Sequence, residues 1–148
     1  MLDSNEFYTL KGYSSKMEKE TLTTAMEDYL EMMYRLYLDQ ESIRIKRLSE
    51  LLHVKPSSTS KMAAVLKEAN YIFFKKYGHI LLTDKGKETG QYLLYRHEVL
   101  HEFFCCINHS ENELILVEKI EHFINPETVK NIKRWLDANE EGEGEEGD

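Results

Sequence analysis

A proline near the middle of the chain separates two short stretches with helical spacing. Residues 43–54 (IRIKRLSELLHV) repeat their leucines at a helical period, and the period resumes in residues 56–70 (PSSTSKMAAVLKEAN). Proline suits the first turn of a helix, where its missing N–H is no loss, but it breaks a helix interior. Two short helices with a tight connection at Lys55-Pro56 are therefore predicted, rather than one long helix.

The segment that follows has the composition of strands. Residues 71–83 (YIFFKKYGHILLT) are rich in aromatic and β-branched residues and are interrupted at Tyr77-Gly78, which predicts a hairpin with a basic tip. Two short helices followed by such a hairpin match a winged helix-turn-helix, whose second helix enters the DNA major groove. A small α+β domain with no role in nucleic-acid binding is the alternative.

Helical spacing also predicts one helix before this region and three helices after it. These helices are predicted over residues 21–38, 84–107, 111–124 and 126–139. Thr23 or Thr24 is the expected N-cap of the first helix. The fold class is therefore mainly α. Residues 1–20 show no clear period and are expected to form a loose arm, and the acidic, glycine-rich residues 140–148 are expected to be disordered.

Positive charge is concentrated in the middle of the chain. Residues 44–87 contain ten Lys and Arg against three acids, a net +7, within a chain whose formal net charge is −8. A basic region between acidic flanks favours contact with nucleic acid. The sequence has neither a signal-peptide layout nor an apolar run near the roughly 20 residues that span a bilayer, so no membrane association and a cytoplasmic location are expected. The adjacent Cys105 and Cys106 are expected to be reduced thiols.

Carboxylates and histidines recur on three helices outside the basic region. Asp28 and Glu31 are three residues apart, which places both on one helix face. A second set on one face contains Glu118, Glu121 and His122, and His97 lies on the long helix. Each set alone is most simply solvated surface, but together they suit a hard or borderline divalent ion such as manganese or iron(II). Spacing shows that these ligands are available and does not show that they converge.

Five separate segments resemble one known family, the manganese-sensing branch of the diphtheria toxin repressor family, known as the manganese transport regulators. The resemblance covers roughly residues 22–138 and keeps the order of the family's motifs. The segments are MEDYLEMMYRL (26–36), VKPSSTSKMAAVLKEANYI (54–72), LLTDKGKETG (81–90), LLYRHEVL (93–100) and VEKIEHFI (117–124).

The resemblance implies a metal site and the identity of its ion. The iron-sensing branch has methionine at the position of Asp28 and cysteine at that of Glu118, so oxygen at both positions points to Mn(II), with two ions per subunit. An iron(II) or zinc sensor of the same family stays open, because the intrinsic affinity order places manganese lowest. His101 stands where an acid is common in the family, so an accessory site there is a further possibility. The implied ligands are Asp28, Glu31, His97, Glu118, Glu121 and His122.

The family architecture implies a winged helix-turn-helix domain at residues 21–90 and a helical metal-binding and dimerisation domain at residues 91–139. Such proteins bind palindromic double-stranded operators as homodimers and repress metal-uptake genes when metal is plentiful. The residues expected to contact DNA are Ser57, Ser58, Thr59 and Lys61 on the recognition helix and Lys75, Lys76 and Tyr77 on the wing.

Two other functional classes remain as alternatives. A winged-helix regulator that does not sense metal would treat the acids as plain surface and would bind DNA equally well in chelator. A metal-dependent hydrolase could use a two-metal carboxylate site, but the sequence offers neither a candidate nucleophile nor a glycine-rich phosphate loop. The protein is therefore not expected to be an enzyme, and no catalytic residue is predicted.

Overall fold

The computed structural model describes residues 22–143, which form six α-helices and a two-stranded antiparallel sheet. The predicted fold class, mainly α with a winged helix-turn-helix, is confirmed. Short 3-10 turns occupy Lys76–Gly78 and Glu121–Phe123. The elements are α1 (Thr24–Leu38), α2 (Ile45–Leu52), α3 (Pro56–Glu68), β1 (Ile72–Phe74), β2 (Ile80–Leu82), α4 (Asp84–Asn108), α5 (Leu114–Ile120) and α6 (Pro126–Glu143).

Helix α1 begins where the sequence supplies a capping hydroxyl. Thr23 Oγ1 accepts a hydrogen bond from the Met26 backbone N–H at 3.2 Å, so Thr23 is the N-cap. Apolar residues at helical spacing along α1, including Leu30 and Met33, are completely buried. This face packs mainly against α4, so α1 lies along the long helix.

Helices α2 and α3 form the helix-turn-helix. His53 ends α2 in the left-handed conformation (φ 55°), and Pro56 occupies the first turn of α3 as predicted. The prediction that Thr59 contacts DNA is wrong, because its side chain is 0% exposed. Its hydroxyl lies 2.9 Å from Ser49 Oγ and 3.3 Å from the Tyr29 hydroxyl, so it connects α3 to α2 and α1 in the core.

The wing is the hairpin of β1 and β2, paired in the register Ile72–Leu82, Phe73–Leu81 and Phe74–Ile80. Its tip turns through two positive φ angles, 66° at Tyr77 and 77° at Gly78. Arg44, just before α2, donates through Nη1 to the Tyr77 carbonyl oxygen at 2.6 Å. The preceding Ile43 forms a bridge with Ile80. The wing is therefore fixed to the helix-turn-helix at its tip and along β2.

The 25-residue helix α4 connects the winged helix-turn-helix to the C-terminal helices. It starts at the N-cap Thr83, whose Oγ1 accepts from the Gly86 N–H at 3.0 Å. Two glycines on its first turns allow close packing, because a Cβ at Gly86 would collide with the Tyr71 carbonyl oxygen and one at Gly90 would lie 2.6 Å from Tyr34 Cβ. The helix is consequently held tightly against α1, the residue before β1, and β2.

A second, smaller core lies among the C-terminal helices. Val99 of α4 packs with Val129 and Leu136 of α6, and Phe103 borders them. Helix α6 continues to Glu143, so the prediction that it ends near Asn139 was wrong by about one turn. The remainder of the predicted disordered tail, residues 144–148, and the predicted arm of residues 1–20 lie outside the described residues. Across residues 22–143, the helices are too short or too polar to cross a membrane.

Candidate metal centre

The six side chains predicted as metal ligands lie together in two groups between the halves of the protein. Within each group, one ligand atom from every member lies within 4.8 Å of those of the others. Glu121 belongs to both groups. The first group is Glu31, His97, Glu118 and Glu121, and the second group is Asp28, Glu121 and His122.

Four separate elements supply these side chains. Asp28 and Glu31 project from α1, and His97 projects from the facing side of α4. The predicted single helix over residues 111–124 is shorter than expected: α5 ends at Ile120 and a 3-10 turn carries Glu121 and His122. Glu121, the first residue of this turn, is buried, with only 1% of it exposed.

Glu121 forms the closest contact of the first group. Its Oε2 lies 2.7 Å from His97 Nδ1, and Glu118 Oε1 lies 3.6 Å from the same nitrogen. Glu31, at the other side, accepts a hydrogen bond from Arg35 Nε at 3.2 Å, one helical turn further along α1. In the second group, His122 Nε2 lies 3.0 Å from Asp28 Oδ1.

Four of these side chains have pKa values that are raised, chiefly by burial for the carboxyl groups and by a hydrogen bond for the histidine. Burial raises the pKa of Glu31, of Asp28 and of Glu118, and the neighbouring Glu121 carboxylate raises each of them further. The hydrogen bond to Glu121 raises the pKa of His97. Protons are therefore held more tightly here than in water, which is the behaviour of a site whose negative charge needs a compensating cation.

The chemistry of the donors fits a hard or borderline divalent metal ion. The two groups provide four carboxylates and two imidazoles and contain no thiolate. Carboxylate-rich sites with some imidazole suit manganese and iron(II), whereas thiolates select softer ions. Cys105 and Cys106 on α4 are free and belong to neither group. The residues present therefore fit the kind of ion that the resemblance implies.

Sequence reasoning missed two charged residues beside the second group. Glu27 Oε1 lies 3.0 Å from His122 Nδ1, and Glu27 Oε2 accepts from Arg96 Nη1 at 3.1 Å. Arg96 is 4% exposed. Their positions in the sequence could have indicated them, because Glu27 directly precedes Asp28 and Arg96 directly precedes His97. Both are charged residues on helix faces that pack against other elements.

His101 takes no part in either group. Its Nε2 accepts a hydrogen bond from the Glu113 backbone N–H at 3.2 Å and lies 3.6 Å from Cys105 Sγ. This arrangement is that of a histidine packed at the junction of α4 and the loop before α5. The contacts of His101 therefore give no support to an accessory site.

The remaining residues predicted to contact DNA are exposed on one helix and on the wing. Ser57, Ser58 and Lys61 lie on the open side of α3, and Tyr77 at the tip of the wing is 88% exposed. Lys75 and Lys76 directly precede it and are exposed as well. Arg44, which holds the wing tip, was not predicted.

Comparison with known proteins finds a matching family and a related transcriptional regulator. Residues 21–80 match the N-terminal DNA-binding domain of the iron-dependent repressors. The chain is 39% identical over 111 residues to the HTH-type transcriptional regulator MntR of Geobacillus kaustophilus, which covers 74% of this chain and 79% of that protein.

Solved structures of regulators share the fold. The manganese regulator SloR has a TM-score of 0.68 at 24% identity, over 76% of this chain and 53% of that one. The metal-dependent transcriptional regulator MtsR has a TM-score of 0.68 at 26% identity, over 78% of this chain and 55% of that one. This chain thus spans about half the length of these two structures.

The match to MntR is longer than the matched DNA-binding domain, so the similarity continues into the C-terminal helices. The family predicted from the sequence motifs is confirmed. This chain belongs to the diphtheria toxin repressor family and is a metal-dependent transcriptional regulator.

Proposed function

We propose that the protein is a manganese-responsive repressor of metal-uptake genes that binds two Mn(II) ions per subunit. The observation that carries the proposal is the pair of ligand groups that share the buried Glu121. Glu31, His97 and Glu118 would complete one ion's ligands, and Asp28 and His122 the other's. Bound cations would neutralise carboxylates that otherwise repel one another.

Manganese is favoured over softer ions by the donor atoms. The second group has a carboxylate at Asp28 and the first has one at Glu118, positions where the iron-sensing branch carries sulfur. Oxygen ligands suit Mn(II), although iron(II) and zinc bind nitrogen and oxygen more strongly in general. The resemblance to MntR, an HTH-type transcriptional regulator, supports a role in transcription. The similarity to SloR, described as a manganese regulator, supports manganese as the ion.

The ligands also explain how metal would control DNA binding. Asp28 and Glu31 belong to α1 of the DNA-binding half, whereas Glu118, Glu121 and His122 follow α4 in the C-terminal half. Side chains from both halves that share a ligand set fix the orientation of one half relative to the other. Metal binding and operator binding then favour the same arrangement, with a coupling of about 1–3 kcal/mol that is equal in both directions.

Operator DNA would meet α3 and the wing. Ser57, Ser58 and Lys61 are placed to enter the major groove, and Lys75, Lys76 and Tyr77 to contact the backbone beside it. Serine carries little base information, so the shape of the operator contributes much of the specificity.

A homodimer is proposed because the C-terminal helices leave large apolar side chains uncovered. Ile115 on α5 is 76% exposed and Phe123 in the following turn is 66% exposed, and Trp135 on α6 is also exposed. Covering such a surface with a second copy would place two recognition helices on successive turns of a palindromic operator.

A fluorescence-anisotropy titration tests this function. Labelled palindromic DNA from a metal-uptake promoter of the source organism would be titrated with protein in chelator, in Mn(II), in Zn(II) and in anaerobic Fe(II). Glu121→Gln removes the shared ligand, and Glu98→Gln removes an exposed carboxylate of α4 as the matched control.

Tight binding in Mn(II) that is lost in Glu121→Gln and kept in Glu98→Gln is expected. Activation by Fe(II) or Zn(II) but not by Mn(II) would replace the proposed ion with another. Equal binding in chelator and in every metal would contradict metal control altogether.

A further inference from the structure

Glu27 lies beside the second ligand group without belonging to it. Its two carboxylate oxygens have different partners: Oε1 is 3.0 Å from His122 Nδ1, and Oε2 accepts from Arg96 Nη1 at 3.1 Å. His122 thus presents Nδ1 to Glu27 and Nε2 to Asp28, 3.0 Å away. One imidazole connects a carboxylate outside the ligand groups to a carboxylate inside them.

The contacts of His122 determine which nitrogen is free to bind a cation. A neutral imidazole carries its proton on one nitrogen and a lone pair on the other. A carboxylate can only accept, so Glu27 favours the proton on Nδ1 and leaves the lone pair on Nε2, which faces the ligand group. Histidine ligands generally donate their second ring N–H to such a partner, which fixes the ring and strengthens the ligand.

Arg96 holds Glu27 in this role. Arg96 is almost completely buried, and its Nε has no hydrogen-bond partner within the described part of the chain. Its Nη2 lies 3.4 Å from His122 Nδ1 and could donate to that nitrogen only in the opposite tautomer. The charged Glu27 Oε1 is closer to Nδ1, at 3.0 Å, and accepts from Arg96 through its other oxygen, so the carboxylate favours the proton on Nδ1. A buried guanidinium needs a paired negative charge, and Glu27 provides it.

The first ligand group is arranged differently. Both carboxylate contacts of His97, to Glu121 at 2.7 Å and to Glu118 at 3.6 Å, are made by Nδ1, and both partners are themselves proposed ligands. The support that His122 receives from Glu27 comes from a residue with no place in either group. The histidines of the two ligand groups are therefore supported by different residues.

We propose that Glu27, held by Arg96, is a positioning residue that selects the Nε2-binding form of His122 and so maintains the second ligand group alone. This inference rests on the proposed two-ion function and adds the residue on which one of the two ions depends. Glu27 also connects α1 to α4 and to the 3-10 turn, so it acts where the two halves of the protein meet.

The variant Glu27→Gln tests the proposal because an amide reverses the pattern of donors. Arg96 donates at the position of Oε2, so the amide oxygen is expected there and the NH₂ group is left facing His122 Nδ1. The proton of the imidazole is then favoured on Nε2, the nitrogen that should bind the cation. The side chain keeps its size, and only the tautomer preference and one charge change.

Binding of Mn(II) alone would be followed by the electron paramagnetic resonance signal of the free ion at about pH 7.5, without DNA. Wild type is expected to bind two ions per subunit. Glu27→Gln is expected to keep one of them and to bind the other about 10–100 times more weakly, the usual effect of removing such a partner. The retained ion also reports that the variant is folded.

Glu98→Gln is the matched control, because it removes an exposed carboxylate next to His97 in sequence. It should bind both ions as wild type does. The proposal would be overturned if Glu27→Gln bound both ions as tightly as wild type does. Loss of both ions together in this variant would also overturn it. If wild type itself binds no Mn(II), the proposed function fails, which is a different result from two ions bound equally by both proteins.

Nitrogen-15 spectra of histidine give a readout that a merely structural role would not move. With the diamagnetic ion Cd(II) bound, His122, assigned through His122→Asn, should carry its proton on Nδ1 in wild type. In Glu27→Gln that signal should be lost, while the His97 signal is kept. An unchanged Nδ1 proton in the variant would overturn the proposal.

Discussion

At the scale of single residues, Ser58 and Thr59 show how adjacent hydroxyls on α3 can have separate roles. Ser58 is exposed on the side of the helix that faces away from the core. Thr59 is fully buried and bonded to Ser49 and near Tyr29. Of these two similar residues, Ser58 is therefore available to contact DNA, whereas Thr59 stabilises the helix-turn-helix.

We predict that Thr59→Val lowers the free energy of unfolding by about 1–2 kcal/mol, because the buried Tyr29 and Ser49 hydroxyls lose a partner. Urea unfolding of the metal-free protein would measure it. Ser58→Ala is the control and should change stability by less than about 0.5 kcal/mol while weakening DNA binding. A stable Thr59→Val variant with weakened operator binding would restore the original assignment of Thr59 to the DNA surface.

Proton binding gives a second prediction at this scale. The hydrogen bond to Glu121 raises the pKa of His97 above its ordinary value of 6.5, so folded, metal-free protein holds this proton more tightly than the unfolded chain does. The resulting stability is fully present below about pH 6.5 and is lost as pH rises through the raised pKa. The unfolding free energy of wild type in chelator should therefore fall towards that of His97→Gln as pH rises.

Mn(II) should reverse the direction of this pH dependence. Histidine and carboxylate ligands must lose their protons to bind a metal, so the stabilisation by Mn(II) should increase with pH. Thermal unfolding in chelator and in excess Mn(II), across about pH 6.5–8.5, would measure both trends. The free energy of unfolding of wild type could instead differ from that of His97→Gln by the same amount at every pH. That result would show that the contact with Glu121 does not raise the pKa of His97.

The sequence predicted which residues form the candidate site but not how they are arranged. Helical spacing identified faces, and the resemblance to a family selected the residues on them. The sharing of Glu121 between two groups depends on the 3-10 turn after Ile120, and no spacing rule distinguishes that turn from continued helix. Glu27 and Arg96 could not be separated from surface charge, because their partner is 95 or 26 residues away along the chain.

At the scale of elements, the wing is a short hairpin whose tip depends on a helix-turn-helix residue. Two residue positions with positive φ make the tip, and Arg44 donates to the carbonyl of one of them. Sequence composition predicted the hairpin and its basic tip. It could not predict the contact with Arg44, which lies 33 residues before Tyr77.

We predict that Lys75→Ala combined with Lys76→Ala lowers the salt dependence of operator binding. Each lysine that neutralises a phosphate contributes about 0.9 to the slope of log affinity against log salt concentration. The slope should therefore fall by up to about 1.8 in anisotropy titrations at several salt concentrations. Lys130→Ala, an exposed lysine on α6, should leave the slope unchanged. An unchanged slope in the double variant would remove the wing from the DNA interface.

At the scale of the whole molecule, one long helix joins two hydrophobic cores. Helix α4 carries Leu93 in the core of the DNA-binding half and Val99 in the core of the C-terminal half, with Arg96 and His97 between them. The proposed metal ligands thus lie at the transition between the cores. A cation bound there would act on the relative placement of both halves without altering either core.

The exposed apolar surface of the C-terminal half leads to the last prediction. Ile115 is among the most exposed large apolar side chains, so replacing it costs the monomer little, within about 0.5 kcal/mol. We predict that Ile115→Lys weakens self-association, because a lysine would have to be desolvated against a second copy. Sedimentation velocity at several concentrations would measure it.

Leu38→Lys is the matched control, because Leu38 is exposed to 50% at the end of α1, far along the chain from the C-terminal helices. It should leave self-association unchanged. Because two recognition helices must act together on a palindrome, Ile115→Lys should also weaken operator binding in Mn(II) while both ions still bind. If Ile115→Lys assembles as wild type does, the second copy must cover another surface, and the spacing of the recognition helices would then be set by contacts outside α5.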